Sequence, residues 1–247
     1  MKKIEFFTTI PGLASACPIT PARSYAPSWA HAMREDYKRQ SKGRIDRINH
    51  TYRCPGIFDL LRTGYLISMP WDIIIETNGD PWNFKWTVPD GTLSELMNEV
   101  PLVQSHSEAA KMLPTPPGAM STIIKLNTPW HLKAPKDLKF LILPLSYTDE
   151  FAYEHVPGVL DPALSVEINL LLRWYKTDGV FKIKAGTPLA HIIPLSGEQY
   201  ELVCRDADTW DKLWLQKRKF LNNFSFVLRK NKIIEGYNDH YYGKHNQ

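Results

Sequence analysis

The chain has 247 residues, of which 43% are hydrophobic and 12% aromatic, enough for a packed core, and its 23% of charged residues excludes wholesale disorder. No window approaches the roughly eighteen apolar residues of a membrane span, and three scattered cysteines (Cys17, Cys54, Cys204) without a CxxC pair exclude a zinc ribbon or a disulfide scaffold. The net charge of +4 is uneven: ten Lys/Arg against four Asp/Glu in residues 1–55, eleven against seventeen in 56–204, and nine against five in 205–247. Basic ends therefore flank an acidic middle. They read as solvated segments packed against an acidic body or a neighbouring subunit. A nucleic-acid or polyphosphate surface is the sharper reading, but no RGG run or stacking-aromatic repeat supports it. The dispersed cysteines suit a reducing compartment and a cytoplasmic location.

Nineteen prolines against thirteen glycines predict many short elements joined by fixed turns. After Met1-Lys2-Lys3 the apolar run Ile4 to Ile10 is too short and too interrupted for a signal peptide, so Lys3 to Thr9 reads as a strand. Ser28 is placed to cap a helix from about Trp29 to Gln40 that ends near Lys42-Gly43. Cys54-Pro55-Gly56 starts a short helix over Ile57 to Arg62, and Gly64 ends it. Strands follow at Tyr65–Met69, Asp72–Glu76 and Trp82–Val88, with Asn78-Gly79-Asp80-Pro81 as a turn between two of them and Pro89-Asp90-Gly91 closing another. Thr92 and Glu95 form a capping box for a helix to about Val100. Trp71, Trp82 and Trp86 read as sandwich core rather than as a stacking surface.

The second half is more regular. Strands are predicted at Ser121–Leu126, Leu138–Leu143, Ser165–Trp174, Val180–Lys184, Leu189–Leu195 and Tyr200–Cys204, with Lys176-Thr177-Asp178-Gly179 as a hairpin turn. From Asp208 an amphipathic helix is expected, its buried stripe formed by Trp210, Leu213, Trp214, Phe220, Leu221 and Phe224. These elements give a mainly β (α+β) single domain over residues 1–247. Its core at about 60–204 is a distorted antiparallel β-barrel or sandwich. A strand–helix arm (1–55) and a C-terminal helix and tail (205–247) pack around that core.

Within Val156 to Leu195, Gly158-Val159-Leu160-Asp161-Pro162 reads as a turn entering a long strand, and Gly186-Thr187-Pro188-Leu189-Ala190-His191 reads as the start of a later one. With Pro144-Leu145-Ser146-Tyr147 upstream, this order resembles the barrel core of the dUTPase and dCTP deaminase superfamily, over about a quarter of the chain. The resemblance implies a nucleotide- or small-ligand-binding barrel in which Asp161 orients the ligand, Ser146 is the residual phosphate contact, and Glu167 and His191 lie nearby. The family's phosphate-binding arginine and glycine are replaced by Leu145 and Tyr147, and Leu171 falls near the position of the deaminase's catalytic glutamate. The resemblance thus speaks for the fold more than for the chemistry. Pro27-Ser28-Trp29 and the stretch from Cys54 to Asp72 also resemble uncharacterised proteins carried by phages and bacteria, which implies no activity.

Two rival readings stand beside it. A non-haem iron oxygenase on a jelly-roll barrel would draw its ligands from His155, His191 and Glu154, with His131 also in that half of the chain. Yet no His-x-His, His-x-Asp or His-x-Glu pair is present to place two ligands on one strand face. A non-catalytic structural or assembly protein would use the C-terminal helix to hold a homo-oligomer together. No nucleophile elbow and no phosphate loop occurs, and the sequence leaves the cofactor open.

Overall fold

The computed structural model describes residues 1–46, 48–89 and 102–218. In chain order the elements are β1 (Lys3–Thr8), α1 (Leu13–Ala16), β2 (Thr20–Pro21), α2 (Ser28–Ser41), α3 (Pro55–Arg62), β3 (Tyr65–Ser68), β4 (Ile73–Asn78) and β5 (Lys85–Thr87). Then come β6 (Val103–Ser105), α4 (Ser107–Met112), β7 (Ile124–Lys133), β8 (Phe140–Leu143), β9 (Tyr153–His155), β10 (Gly158–Leu160), β11 (Glu167–Trp174), β12 (Asp178–Ile183), β13 (Pro188–Pro194) and β14 (Glu201–Asp206). A last helix, α5, begins at residue 209 and is described to 218. The chain divides into two compact units, Met1–Arg205 and Asp206–Gln247. No helix among the described residues is long and apolar enough to cross a membrane. All three cysteines are free thiols.

The fold is mainly β, as expected, and its sheets are antiparallel and open, none closed into a barrel. The first runs β14-β1-β7-β11-β9 with β6 also on β7, the second β10-β8-β13-β3-β2, and the third β12-β4-β5. Strand β11 shows why they face one another. Its side chains alternate, so Ile168, Leu170, Leu172 and Trp174 are fully buried while Glu167, Asn169, Leu171 and Arg173 are half-buried. Those four apolar residues join one core with Ile67, Phe140, Ile142 and Ile192 of the second sheet and Ile73, Ile75 and Ile183 of the third. A single core shared between sheet faces is the arrangement of an α+β sandwich.

Gly64 links α3 to this core. Its φ of +78° is open to glycine, and an added Cβ would stand 2.2 Å from the Ile192 carbonyl oxygen, so no other residue fits beside β13.

Several sequence expectations need correction. Lys176 to Gly179 does not close a hairpin: β11 stays in the first sheet, whereas β12 pairs β4 in the third, Val180 opposite Glu76. The buried Trp174 sets this exit, because its indole N–H donates to the Lys176 carbonyl, which also accepts from Thr77 Oγ1. Ser28 is the first residue of α2 rather than its cap; the N-cap is Pro27, without a side-chain hydrogen bond. Trp71 is buried, but Trp82 is 47% exposed. On α5, Trp210 is 80% and Leu213 51% exposed, so neither belongs to a buried stripe. Phe220, Leu221 and Phe224, the 92–100 helix and its capping box lie outside the described residues.

Candidate functional site

The chain leaves β8 at Leu143 and wanders for nine residues before β9, because Pro144 and the run Ser-Tyr-Thr-Asp-Glu offer turn chemistry rather than alternation. Local bonds hold this loop. Thr148 Oγ1 accepts from the Glu150 amide, Glu150 Oε1 accepts from the Ala152 amide at 2.7 Å, and Tyr147 sits at a positive φ of 59°. A non-glycine residue there costs about 1 kcal/mol or more. Helix α2 supports it: the Trp29 indole N–H donates to the Tyr147 carbonyl at 2.6 Å, and the Ser28 hydroxyl lies 3.2 Å from Asp149 Oδ2.

Beneath the loop lies a cavity of about 470 Å³, walled by Pro144, Leu145, Ser146, Thr148, Glu150 and Phe151 from above. Tyr153, Glu154 and His155 of β9, Tyr175 beyond β11 and Leu189 of β13 complete it. Strand β9 is the outer strand of the first sheet, with His155 opposite Leu172 and Tyr153 opposite Trp174. Tyr153 stacks on Trp174 with centroids 5.8 Å apart, and the Phe181 ring meets Trp174 edge-on. An aromatic cluster therefore backs Tyr153. A second cavity of about 320 Å³ shares Leu145, Thr148 and Glu150 with the first and reaches Trp29 of α2.

Two polar atoms of β9, Tyr153 Oη and His155 Nδ1, are buried without a hydrogen-bond partner. His155 is only 4% exposed, and burial pushes its pKa down to about 4, so the imidazole is neutral. Burial likewise raises the Tyr153 phenol well above its ordinary value. Beside them the Tyr175 hydroxyl donates to Glu154 Oε2 at 2.9 Å, and burial together with that carboxylate raises its pKa. Unsatisfied buried polar groups cost about 1–3 kcal/mol each, and native folds keep few of them unless a ligand or water supplies the partner.

The residues singled out from sequence are only partly gathered here. Ser146, Glu154 and His155 line the cavity. Asp161 stands at the other end of β8: its Oδ1 accepts from the Ala163 amide, its carbonyl accepts from Leu164 and Ser165, and Lys139 Nζ lies 3.6 Å from Oδ2. His191, 3% exposed, pairs with Leu143 and Leu66, and its Nε2 donates to the Thr63 carbonyl. Burial lowers its pKa. Glu167 lies opposite His131 on the half-buried face of β11. The set His155, His191 and Glu154 is not brought together around an ion, since neighbours on a strand point to opposite faces and His191 is engaged with Thr63. Among the described residues no group of three or more His, Cys, Asp or Glu could hold a metal.

Sequence reasoning missed Tyr153 and Tyr175. A strand of three residues is too short to show alternation, and a tyrosine just past a strand carries no periodic signal. Only the Tyr-Glu-His spacing, with two amphipathic side chains at i and i+2, hinted at a shared face. No protein-family model matches the chain and no curated protein is significantly similar to it, so it is the cavity under the 144–151 loop that carries the functional reading.

Proposed function

We propose that the protein binds a small organic molecule in the cavity between the 144–151 loop and β9. One observation carries this reading: a preformed cavity of about 470 Å³ lined by Ser146, Glu150, Glu154 and Tyr175 among apolar and aromatic side chains. Such cavities, mostly apolar with a few polar groups, suit ligands of drug-like size. The proposed kinship with the dUTPase and dCTP deaminase barrels is supported by adjacency. The three matching segments flank β8, β10 and β13, which are neighbours in one sheet in the order β10-β8-β13. The phosphates of a nucleotide, however, would meet no lysine or arginine lining the cavity, so we read the ligand as one without phosphate.

A fragment screen by saturation-transfer NMR tests this, comparing the natural chain with a Ser146→Trp variant whose indole fills the space. Hits that bind the natural chain and vanish in the variant are expected. A screen whose hits are unchanged in the variant refutes the reading. Assembly through α5 is the second reading, favoured by the exposure of Trp210 and Leu213. It predicts an oligomer in native mass spectrometry that dissociates when Trp210 is changed to Glu, and a monomeric natural chain ends it.

A further inference from the structure

We propose that the outer strand β12 is a self-pairing interface, through which two copies of this chain join edge to edge, independently of the cavity. Strand β12 ends the third sheet and, among the described residues, pairs with β4 alone, over six residues from Asp178 to Ile183. Such an open ladder edge invites a further strand, and proteins guard it with proline, bulges, short length or charge. The outer strands β2, β5, β9 and β10 are guarded by length, having only two or three residues each. Strand β12 carries no proline and no register shift against β4, and its Val180 is 62% exposed. Its guard is the exposed pair of charges on either side of Val180, Asp178 and Lys182.

The alternation of the ladder decides what this edge accepts. The Gly79 amide donates to the Thr177 carbonyl, in step with the β12–β4 register. Every second residue therefore bonds β4, and Asp178, Val180 and Lys182 turn their own N–H and C=O groups to the open side. An antiparallel second copy centred on Val180 meets those groups in register. Val180 then exchanges both main-chain bonds with the partner's Val180, and Asp178 and Lys182 stand opposite the partner's Lys182 and the partner's Asp178. The guarding charges thus disfavour a strand that does not match them and favour this one, across a two-fold axis. Within the chain Lys182 Nζ meets Asp72 Oδ2, whereas Asp178 has no ion pair among the described residues, which leaves its carboxylate open to a partner's cation. Gly179 falls opposite the partner's Phe181, so no side chain crowds a ring that packs edge-on against Trp174. Strand β14, the other six-residue outer strand, fails the same test. The Glu201 amide donates to the Lys2 carbonyl, so the open side of β14 carries Leu202, Cys204 and Asp206, with no opposite charges to match.

Sedimentation velocity on the full chain tests this, with the natural protein run up to about 100 µM. A monomer–dimer equilibrium is expected. Val180→Pro removes the outward N–H at the two-fold axis without touching a bond to β4, and should abolish the dimer while circular dichroism stays unchanged. Asp178→Lys and Lys182→Asp each set like charges opposite one another at both ends of the ladder, and each alone should weaken the dimer about tenfold. An equimolar mixture of those two variants puts lysine against aspartate at both ends, so a mixed dimer as tight as the natural one is expected. A natural chain that stays monomeric overturns the proposal, as does a mixture no tighter than its components. Trp210→Glu should leave the dimer intact. If it dissociates the dimer while the β12 variants do not, the interface is α5 and the proposal is overturned.

Discussion

The two ends of β8 make an instructive pair. At the Phe140 end the chain turns through Asp161, and every polar contact there closes locally: side chain to the Ala163 amide, carbonyl to Leu164 and Ser165, carboxylate near Lys139. At the Leu143 end the chain opens into a loop over a cavity, and in the adjoining β9 Tyr153 and His155 keep buried polar atoms unsatisfied. The first end looks like a site in sequence and behaves as a satisfied turn. The second has little sequence signature and holds the unspent hydrogen-bonding capacity. An aspartate before proline marks a place where a chain must turn, whereas an unmet buried polar group shows only once the fold is packed.

The strongest way to break this contrast is through the floor of the cavity. Trp174→Ala removes a fully buried ring that Tyr153 and Phe181 pack against, and should cost about 4 kcal/mol in urea unfolding. It should also abolish ligand binding, while the Asp161 turn keeps its amide protection.

Acid comes next. His155 is neutral in the fold down to about pH 4 but takes up its proton near 6.5 when unfolded. Between those values the unfolded chain binds more protons, so stability falls as pH drops from 6.5 towards about 4, by about 3 kcal/mol at most. The lowered pKa of His191 adds to the same slope. Unfolding midpoints across that range should therefore flatten in His155→Phe without becoming level. A slope unchanged by His155→Phe would mean that the histidine is not held neutral.

Asp161→Ala sharpens the comparison from the other side. Losing the bond to the Ala163 amide should cost about 1 kcal/mol and leave the affinity of any fragment hit for the cavity unaltered. A lost affinity would restore Asp161 to the ligand. Smallest is Trp29→Phe, which removes the indole donor to Tyr147 and should raise hydrogen exchange in the 147–150 segment with a global cost below about 1 kcal/mol.

Most strands were legible from short runs of β-branched, aromatic and apolar residues bounded by turns, although β7 runs Ile124–Lys133 rather than over the expected Ser121–Leu126. Glu167–Trp174 and Pro188–Pro194 lie within one or two residues of the expected Ser165–Trp174 and Leu189–Leu195. The destination of a strand was not legible. Asp178-Gly179 looks like a hairpin turn, yet β12 crosses to β4 because Thr77 and Trp174 share the Lys176 carbonyl, a contact between residues about a hundred positions apart. The same holds for the site. Ser146, Glu154 and His155 were named from sequence, but only packing shows that they share a cavity with Tyr153 and Tyr175 and that Asp161, Glu167 and His191 do not line it.

Among the residues walling that cavity, only Tyr153 and Leu189 belong to the hydrophobic core; Ser146, Thr148, Glu150, Phe151, Glu154 and Tyr175 sit on a loop, an outer strand and a strand end. For evolution this is a favourable division. Substitutions at those six positions reshape the cavity without passing through the hydrophobic core, so its lining can change while the scaffold persists.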